Sequence, residues 1–212
     1  MIITEIFKGI EGEGVRVGIP QLFIRLQGCR VGCKACDTKN TWSLTSNQAL
    51  QLSPREVYAN HIVPSGLLNI SITGGDPLLQ RVELLELLGF LPVSYYINIE
   101  ATGLEDDPEV FTQCDFISAD IKTPSSGVYA SLDVTQALYK RYEKKLQLKA
   151  VVADEGDLNF LKDFHMFPVV ITPCWEPGKQ LDLPFLQNIQ DFLWKHSNFR
   201  MIVQQHKFLN MR

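Results

Sequence analysis

The 212-residue sequence has no long hydrophobic run, no large excess of either charge and no low-complexity tract, and each absence excludes a class of protein. Its richest apolar stretch, residues 84–99, is interrupted by Glu86 and Pro92 and is too short to cross a bilayer as a helix. The N-terminal Met1-Ile2-Ile3-Thr4-Glu5-Ile6-Phe7-Lys8 meets Glu5 and Lys8 before a signal-peptide core can form, which points to a cytoplasmic protein with no membrane partner. Twenty Lys and Arg against 24 Asp and Glu leave a formal net charge of −4, so the basic footprint of a general nucleic-acid binder is missing. No repeat or linker divides the chain. Residues 1–212 are therefore expected as one domain, long enough to bury roughly 70% of the unfolded surface.

Cysteine is scarce and unevenly placed. Of five, Cys29, Cys33 and Cys36 fall within eight residues, while Cys114 and Cys174 stand alone and read as small buried hydrophobes. An odd, clustered set is not a disulfide framework; in a reducing compartment it reads as metal ligands or redox groups.

Short β-rich runs alternate with helical patterns. Strands are expected at residues 21–27, 69–73, 95–99, 116–121, 146–152, 169–172 and 199–203. Ser53-Pro54-Arg55-Glu56 is a capping box that opens a helix to about Ile62, and residues 78–88 carry a helical apolar pattern stopped by Gly89 and Pro92. Further helices are expected near residues 133–142, 157–165 and 184–196. Alternation of this kind implies right-handed βαβ units, and many strands with few good helices imply an open, partial (β/α) barrel. Polar or glycine-containing clusters follow nearly every strand: Gly28-Cys29, Thr73-Gly74-Gly75-Asp76, Glu100-Ala101-Thr102-Gly103, Asp120-Ile121-Lys122, Thr172-Pro173 and Gln204-Gln205-His206. In a parallel sheet those ends share one face, where ligands bind.

Cys-x3-Cys-x2-Cys lets three thiolates from one loop hold three irons of a 4Fe-4S cubane, leaving the fourth iron open. Zinc is the competing reading, but a structural zinc wants four ligands and there is no second cysteine pair; His61 lies beyond the expected helix and reads as a surface residue.

The cysteine loop, followed by Thr73-Gly74-Gly75-Asp76-Pro77, resembles radical S-adenosylmethionine (SAM) enzymes, whose GGEP motif has Glu where this chain has Asp76. The likeness narrows to the 7-carboxy-7-deazaguanine synthase family and spans nearly the whole chain. It rests on Glu5-Ile6-Phe7, Gly12-Glu13-Gly14, Phe23-Ile24-Arg25, Cys36-Asp37-Thr38, Glu100-x-Thr102-Gly103, residues 120–126, Leu148-Lys149-x-Val151-Val152 and residues 205–210. The resemblance implies an α/β fold, a pared-down radical SAM barrel, and Mg2+-dependent ring contraction of 6-carboxy-5,6,7,8-tetrahydropterin with loss of ammonia. It also implies a flavodoxin or ferredoxin as electron donor and a homodimer. By the same resemblance, Cys29, Cys33 and Cys36 hold the cluster, and Thr38 binds Mg2+. SAM would meet Ala35, Asp37, Gly74, Gly75, Asp76, Asp120, Ile121, Lys122, Thr172, Pro173, Cys174 and Trp175. The pterin would meet Ile10, Glu11, Gly12, Arg25, Thr73 and the carboxylate of Arg212. Glu11 replaces a common Gln, Ala35 a common aromatic residue and Thr172 a frequent Gln. A glycyl-radical-enzyme activase and a zinc-stabilised binding module are the alternative readings. The basic run Lys140, Arg141, Lys144 and Lys145 reads as a solvated helix face, with docking of an acidic redox protein as a second possibility.

Overall fold

The period-2 pattern of the strands decides which residues face the helices and which face the barrel interior. In the computed structural model, which describes residues 1–45, 48–175, 180 and 182–210, nine strands form one sheet in the order β3-β1-β2-β4-β5-β6-β7-β8-β9. They are β1 (Ile2–Ile10), β2 (Pro20–Leu26), β3 (Leu50–Gln51), β4 (Asn69–Gly74), β5 (Tyr96–Ala101), β6 (Phe116–Asp120), β7 (Leu146–Val152), β8 (Val169–Pro173) and β9 (Phe199–Met201). From β2 to β9 every neighbouring pair is parallel, whereas β1 runs antiparallel to both β2 and β3. The sheet is open, with β3 and β9 as its edges. This is the expected partial barrel, extended by an antiparallel hairpin.

The buried apolar core includes one set of alternate residues: Leu22, Ile24 and Leu26; Ile70 and Ile72; Ile97 and Ile99; Ile117 and Ala119; Leu148, Ala150 and Val152. The opposite set is polar. Ser71, Asn98, Ser118 and Gln147 are buried there and bond laterally, Asn98 to Ser71 at 2.9 Å and Gln147 to Ser118 at 2.9 Å. Such lateral bonds let the barrel interior be polar, although the Asn98 Oδ1 has no hydrogen-bond partner.

The expected strands all form, with shifted ends. β9 stops at Met201 rather than Val203: Ile202 still donates its N–H to Ile171 O, and the chain then turns away. The strands not expected are the two-residue β3 and, of more consequence, β1. Its run is half-buried on both faces and lacks clean alternation, so periodicity does not reveal it.

Eight α-helical segments cover the sheet: α1 (Pro54–Val57), α2 (Val63–Ser65), α3 (Arg81–Phe90), α4 (Pro108–Phe111), α5 (Leu132–Tyr142), α6 (Glu155–Leu161), α7 (Leu183–Lys195) and α8 (Gln205–Leu209). The capping box is present: Glu56 donates its N–H to Ser53 Oγ at 3.2 Å, and Ser53 donates its own to the Glu56 carboxylate at 2.8 Å. The helix runs past the expected end through a π turn, Tyr58–Ile62, that joins α1 to α2, and Gly66 ends it at φ 69°. His61 thus lies within this helix, half-buried. The helix expected from Leu78 begins as a 3-10 turn, Pro77–Gln80, because the Asp76 carboxylate caps Leu78 N–H. No described helix is long and apolar enough to cross a membrane.

Candidate active site

The cysteine loop leaves β2 and is held by its neighbours before any metal is considered. Fully buried Gln27 donates its amide to Asn40 O at 2.8 Å and Ser43 O at 2.6 Å, and Gly28 donates its N–H to Thr41 O at 2.6 Å. Gly28 has φ 102°, a conformation that favours glycine. Cys29, Cys33 and Cys36 are free, half-buried and on the wall of one pocket. Val31 N–H points at Cys29 Sγ and Thr38 N–H at Cys36 Sγ, each at 3.4 Å. N–H groups aimed at sulfur stabilise a thiolate. Burial pushes the Cys33 thiol up, and the Lys122 ammonium opposes it. Three convergent sulfurs with donors behind them fit a cluster carried by three ligands. Cys114 is instead buried, its thiol pushed up to about 12, and it remains a core residue.

The end of β4 is fastened to this loop. Asp76 donates its N–H to Gly28 O at 2.8 Å, and a Cβ on Gly75 would lie 2.2 Å from that same oxygen. Backbone thus packs on backbone at Gly75. Thr73, Gly74 and Gly75 face the pocket. The Asp76 side chain does not. It is fully buried and accepts from Leu78 N–H at 3.2 Å and from Arg30 at 2.7 Å, so it braces the cluster loop and is not on the pocket wall.

The remaining expected residues divide in the same way. Ala35, Asp37 and Thr38 on the cysteine loop line the pocket, as do Asp120, Ile121 and Lys122 after β6, with Ile10, Glu11, Gly12 and Arg25. Arg25 bonds Glu5 at 2.9 Å and lies over the Phe7 ring, 5.8 Å from its centroid. Of the β8 group only Cys174 reaches the wall. Thr172 is buried with its hydroxyl donating to Ile202 O at 3.1 Å, Pro173 is buried within the strand, and Trp175 stacks on Phe208 at 4.4 Å. Arg212 lies outside the described residues.

Sequence reasoning missed the charged centre. Lys149, in the middle of β7, bonds Glu100 at 2.8 Å and Glu13 at 3.1 Å and lies 3.8 Å from Asp120. Burial would lower its ammonium, but the three carboxylates raise it well above the ordinary lysine value. Glu13 is likewise pushed up by burial, yet Lys149, the Gln204 amide and His206 hold it down at about 2. Glu11 behaves oppositely. Burial and the Glu100 charge push it up to about 7 against Lys149, a 2.7 Å bond from Gln21 and the Glu13 N–H. The available signal was a lysine and a glutamate at inward positions of strands whose other face is apolar.

The C-terminal segment closes the open side of the barrel. Gln205 donates its N–H to Gly12 O at 2.8 Å, Gln204 donates to Glu13 at 2.7 Å, and Lys207 lies 3.4 Å from Asp37. A Cβ on Gly12 would lie 2.2 Å from His206 Nδ1, so glycine is required where this segment crosses. Phe208 is stacked but 45% exposed, and Leu209 is 64% exposed.

Residues 10–96 match a family model described as a 4Fe-4S single cluster domain. The 7-carboxy-7-deazaguanine synthase of Thermoplasma acidophilum is 34% identical, over 99% of this chain and 97% of that protein. The synthase of Escherichia coli is 30% identical over 99% and 98%. The chain belongs to the 7-carboxy-7-deazaguanine synthase family. A crystal structure of QueE from Escherichia coli superposes with a TM-score of 0.70 at 25% identity, covering 97% of this chain and 94% of that one. Family membership sets aside the activase and zinc-module readings. Of the basic run, Arg141 pairs with Asp106 and Lys145 donates to the carbonyls of Phe111, Thr112 and Cys114, while Lys140 and Lys144 are exposed.

Proposed function

We infer that this chain is a radical SAM enzyme that contracts the ring of 6-carboxy-5,6,7,8-tetrahydropterin to 7-carboxy-7-deazaguanine with loss of ammonia. The observation that carries the reading is a single pocket in which three cysteine thiols, a glycine turn and a buried charged centre share the face where the parallel strands end. A 4Fe-4S cluster on Cys29, Cys33 and Cys36, with SAM, supplies the one-electron radical chemistry.

The protein's own residues position and shield. Gly74, Gly75 and the Asp120-Ile121-Lys122 turn flank the SAM side, where glycine lets backbone approach the ligand. Ala35, in place of an aromatic residue, leaves a looser adenine contact. On the substrate side, the Arg25 guanidinium, held through Nε by Glu5, would take the pterin carboxylate in a bidentate fork. Glu11, Gly12 and Thr73 offer acceptors and backbone to the ring edge. Lys149 pairs with both Glu13 and Glu100 in the interior, so the pocket holds fixed charge in a water-poor site where electrostatic interactions are strong. The Thr38 hydroxyl, 3.5 Å from Cys36 Sγ, is the oxygen ligand we assign to Mg2+, a hard cation that retains other oxygen ligands.

The electron comes from a flavodoxin or ferredoxin, which would meet exposed Arg30, Lys34 and Lys39 on the cysteine loop. The enzyme acts in the cytoplasm as a homodimer. Anaerobic incubation of the reconstituted protein with SAM, reductant, Mg2+ and the carboxypterin, followed by mass analysis, tests the reading. Product lighter than substrate by one ammonia is expected. Unchanged pterin beside intact SAM-cleaving activity would overturn it.

A further inference from the structure

Three carboxylates and one ammonium make an unequal set. Glu11, Glu13 and Glu100 converge on Lys149, and Asp120 beyond it is already paired with Lys122. Lys149 bonds Glu13 and Glu100 directly, so Glu11 is left with neutral donors only: the Gln21 amide from β2 and the Glu13 N–H from its own loop. The charges that reach Glu11 come from β5, as Glu100, and from β7, as Lys149; His206 on α8 acts on Glu13. Glu11 is 7% exposed and lines the pocket. Three ionised carboxylates against one ammonium in such a site are unfavourable, and Glu11 is the member that can hold a proton most easily.

Gln21 fits both states. It is fully buried, and its amide oxygen has no hydrogen-bond partner. With Glu11 ionised, the Gln21 N–H donates to it. With Glu11 protonated, a turned amide accepts its O–H.

We propose that Glu11 is a proton-linked reader of the substrate: it receives the N–H donors of the pterin's amino–amide edge as a carboxylate, so substrate entering at or below neutral pH expels a proton to solvent. The proposal rests on the ring-contraction reading above. It separates this chain from relatives carrying Gln, whose amide has no proton to lose in this range. An upward push to about 7 in the empty site is consistent with it. If the bound carboxylate titrates well below the free one, the apparent KM scales as one plus the ratio of protonated to ionised Glu11, which is about tenfold higher at about pH 6 than at about pH 8.

The test is the KM of the reconstituted enzyme for carboxypterin across that range, for wild type and Glu11→Gln. The wild-type KM is expected to rise about tenfold toward acid, and the variant profile to be flat. Calorimetry of pterin binding to wild type without reductant, in two buffers of different ionisation enthalpy, gives a second reading that needs no variant. Close to one proton released at about pH 6 and almost none at about pH 8 is expected. Product formation with a flat wild-type KM, or binding without proton release at about pH 6, overturns the role of Glu11 alone. Absence of any product at every pH tells instead against the ring-contraction reading.

Discussion

Replacing Lys149 by Met removes the one ammonium that bonds both Glu13 and Glu100, while Met keeps most of the volume. The cost follows from the carboxylates left behind. Glu13 lies at about 2 in the folded protein against an ordinary 4.5, a depression of about 2.5 units, worth about 3 kcal/mol at about 1.4 kcal/mol per unit. Because the folded value is depressed, that contribution is fully present above about 4.5 and is lost as pH falls through about 2. Without Lys149, burial pushes Glu13 up against the Gln204 amide and His206 alone, so that contribution shrinks. Removing one partner of a buried ion pair typically costs about 3–5 kcal/mol, which in a chain of this size lowers Tm on the order of 10 °C. The deficit should shrink as pH falls, because the stranded carboxyls take up protons. Thermal unfolding followed by circular dichroism under anaerobic conditions, at about pH 8 and about pH 5.5, measures both features. A variant within about 2 °C of wild type at the higher pH, or a deficit that grows toward acid, would refute the reasoning.

Other substitutions probe the remaining parts of the site. Cys29→Ala, Cys33→Ala and Cys36→Ala should each abolish the brown cluster absorption and SAM cleavage, while Cys114→Ala leaves iron content unchanged. Gly75→Ala would place a methyl 2.2 Å from Gly28 O and 2.7 Å from Cys29 Cβ, so it should cost about 1–3 kcal/mol or more and lower cluster loading; normal loading at wild-type Tm would contradict the packing argument. Thr38→Ala should weaken the Mg2+ dependence of turnover while the cluster spectrum persists, and an unaltered Mg2+ titration would place the cation elsewhere. Extending the chain beyond Arg212, or deleting Met211 and Arg212, should raise the KM for the pterin with SAM cleavage retained; unchanged kinetics would withdraw the substrate role of the terminal carboxylate.

Much of the scaffold was legible because its causes are local. β7 could be placed to the residue from Leu146-Gln147-Leu148-Lys149-Ala150-Val151-Val152, where apolar residues alternate toward the helices, and the Ser53 capping box marked the start of α1. The cysteine loop pointed to a metal centre by its spacing, since the ligands of one centre must come from a stretch short enough to curl around it, and the resemblance made that centre a 4Fe-4S cluster. β1 was hidden because it is half-buried on both faces, which erases the period that would identify it.

The division runs through the motifs themselves. Gly74 and Asp76 belong to one sequence signature, yet Gly74 faces the pocket while Asp76 turns away to cap a helix and hold Arg30. Thr172 and Cys174 part similarly, because the Thr172 hydroxyl finds Ile202 O across the β8 edge. By itself, the sequence determined the parallel α/β architecture, the three cysteines and the glycine turn, which rest on periodicity or short spacing, while the family rests on the resemblance of motifs spread along the chain. Only the tertiary structure decided the charged centre. Glu13, Glu100, Lys149 and Gln204 come from four separate segments, and the shifts of Glu13 and Lys149 depend on burial and on distances of about 3 Å that no local pattern encodes.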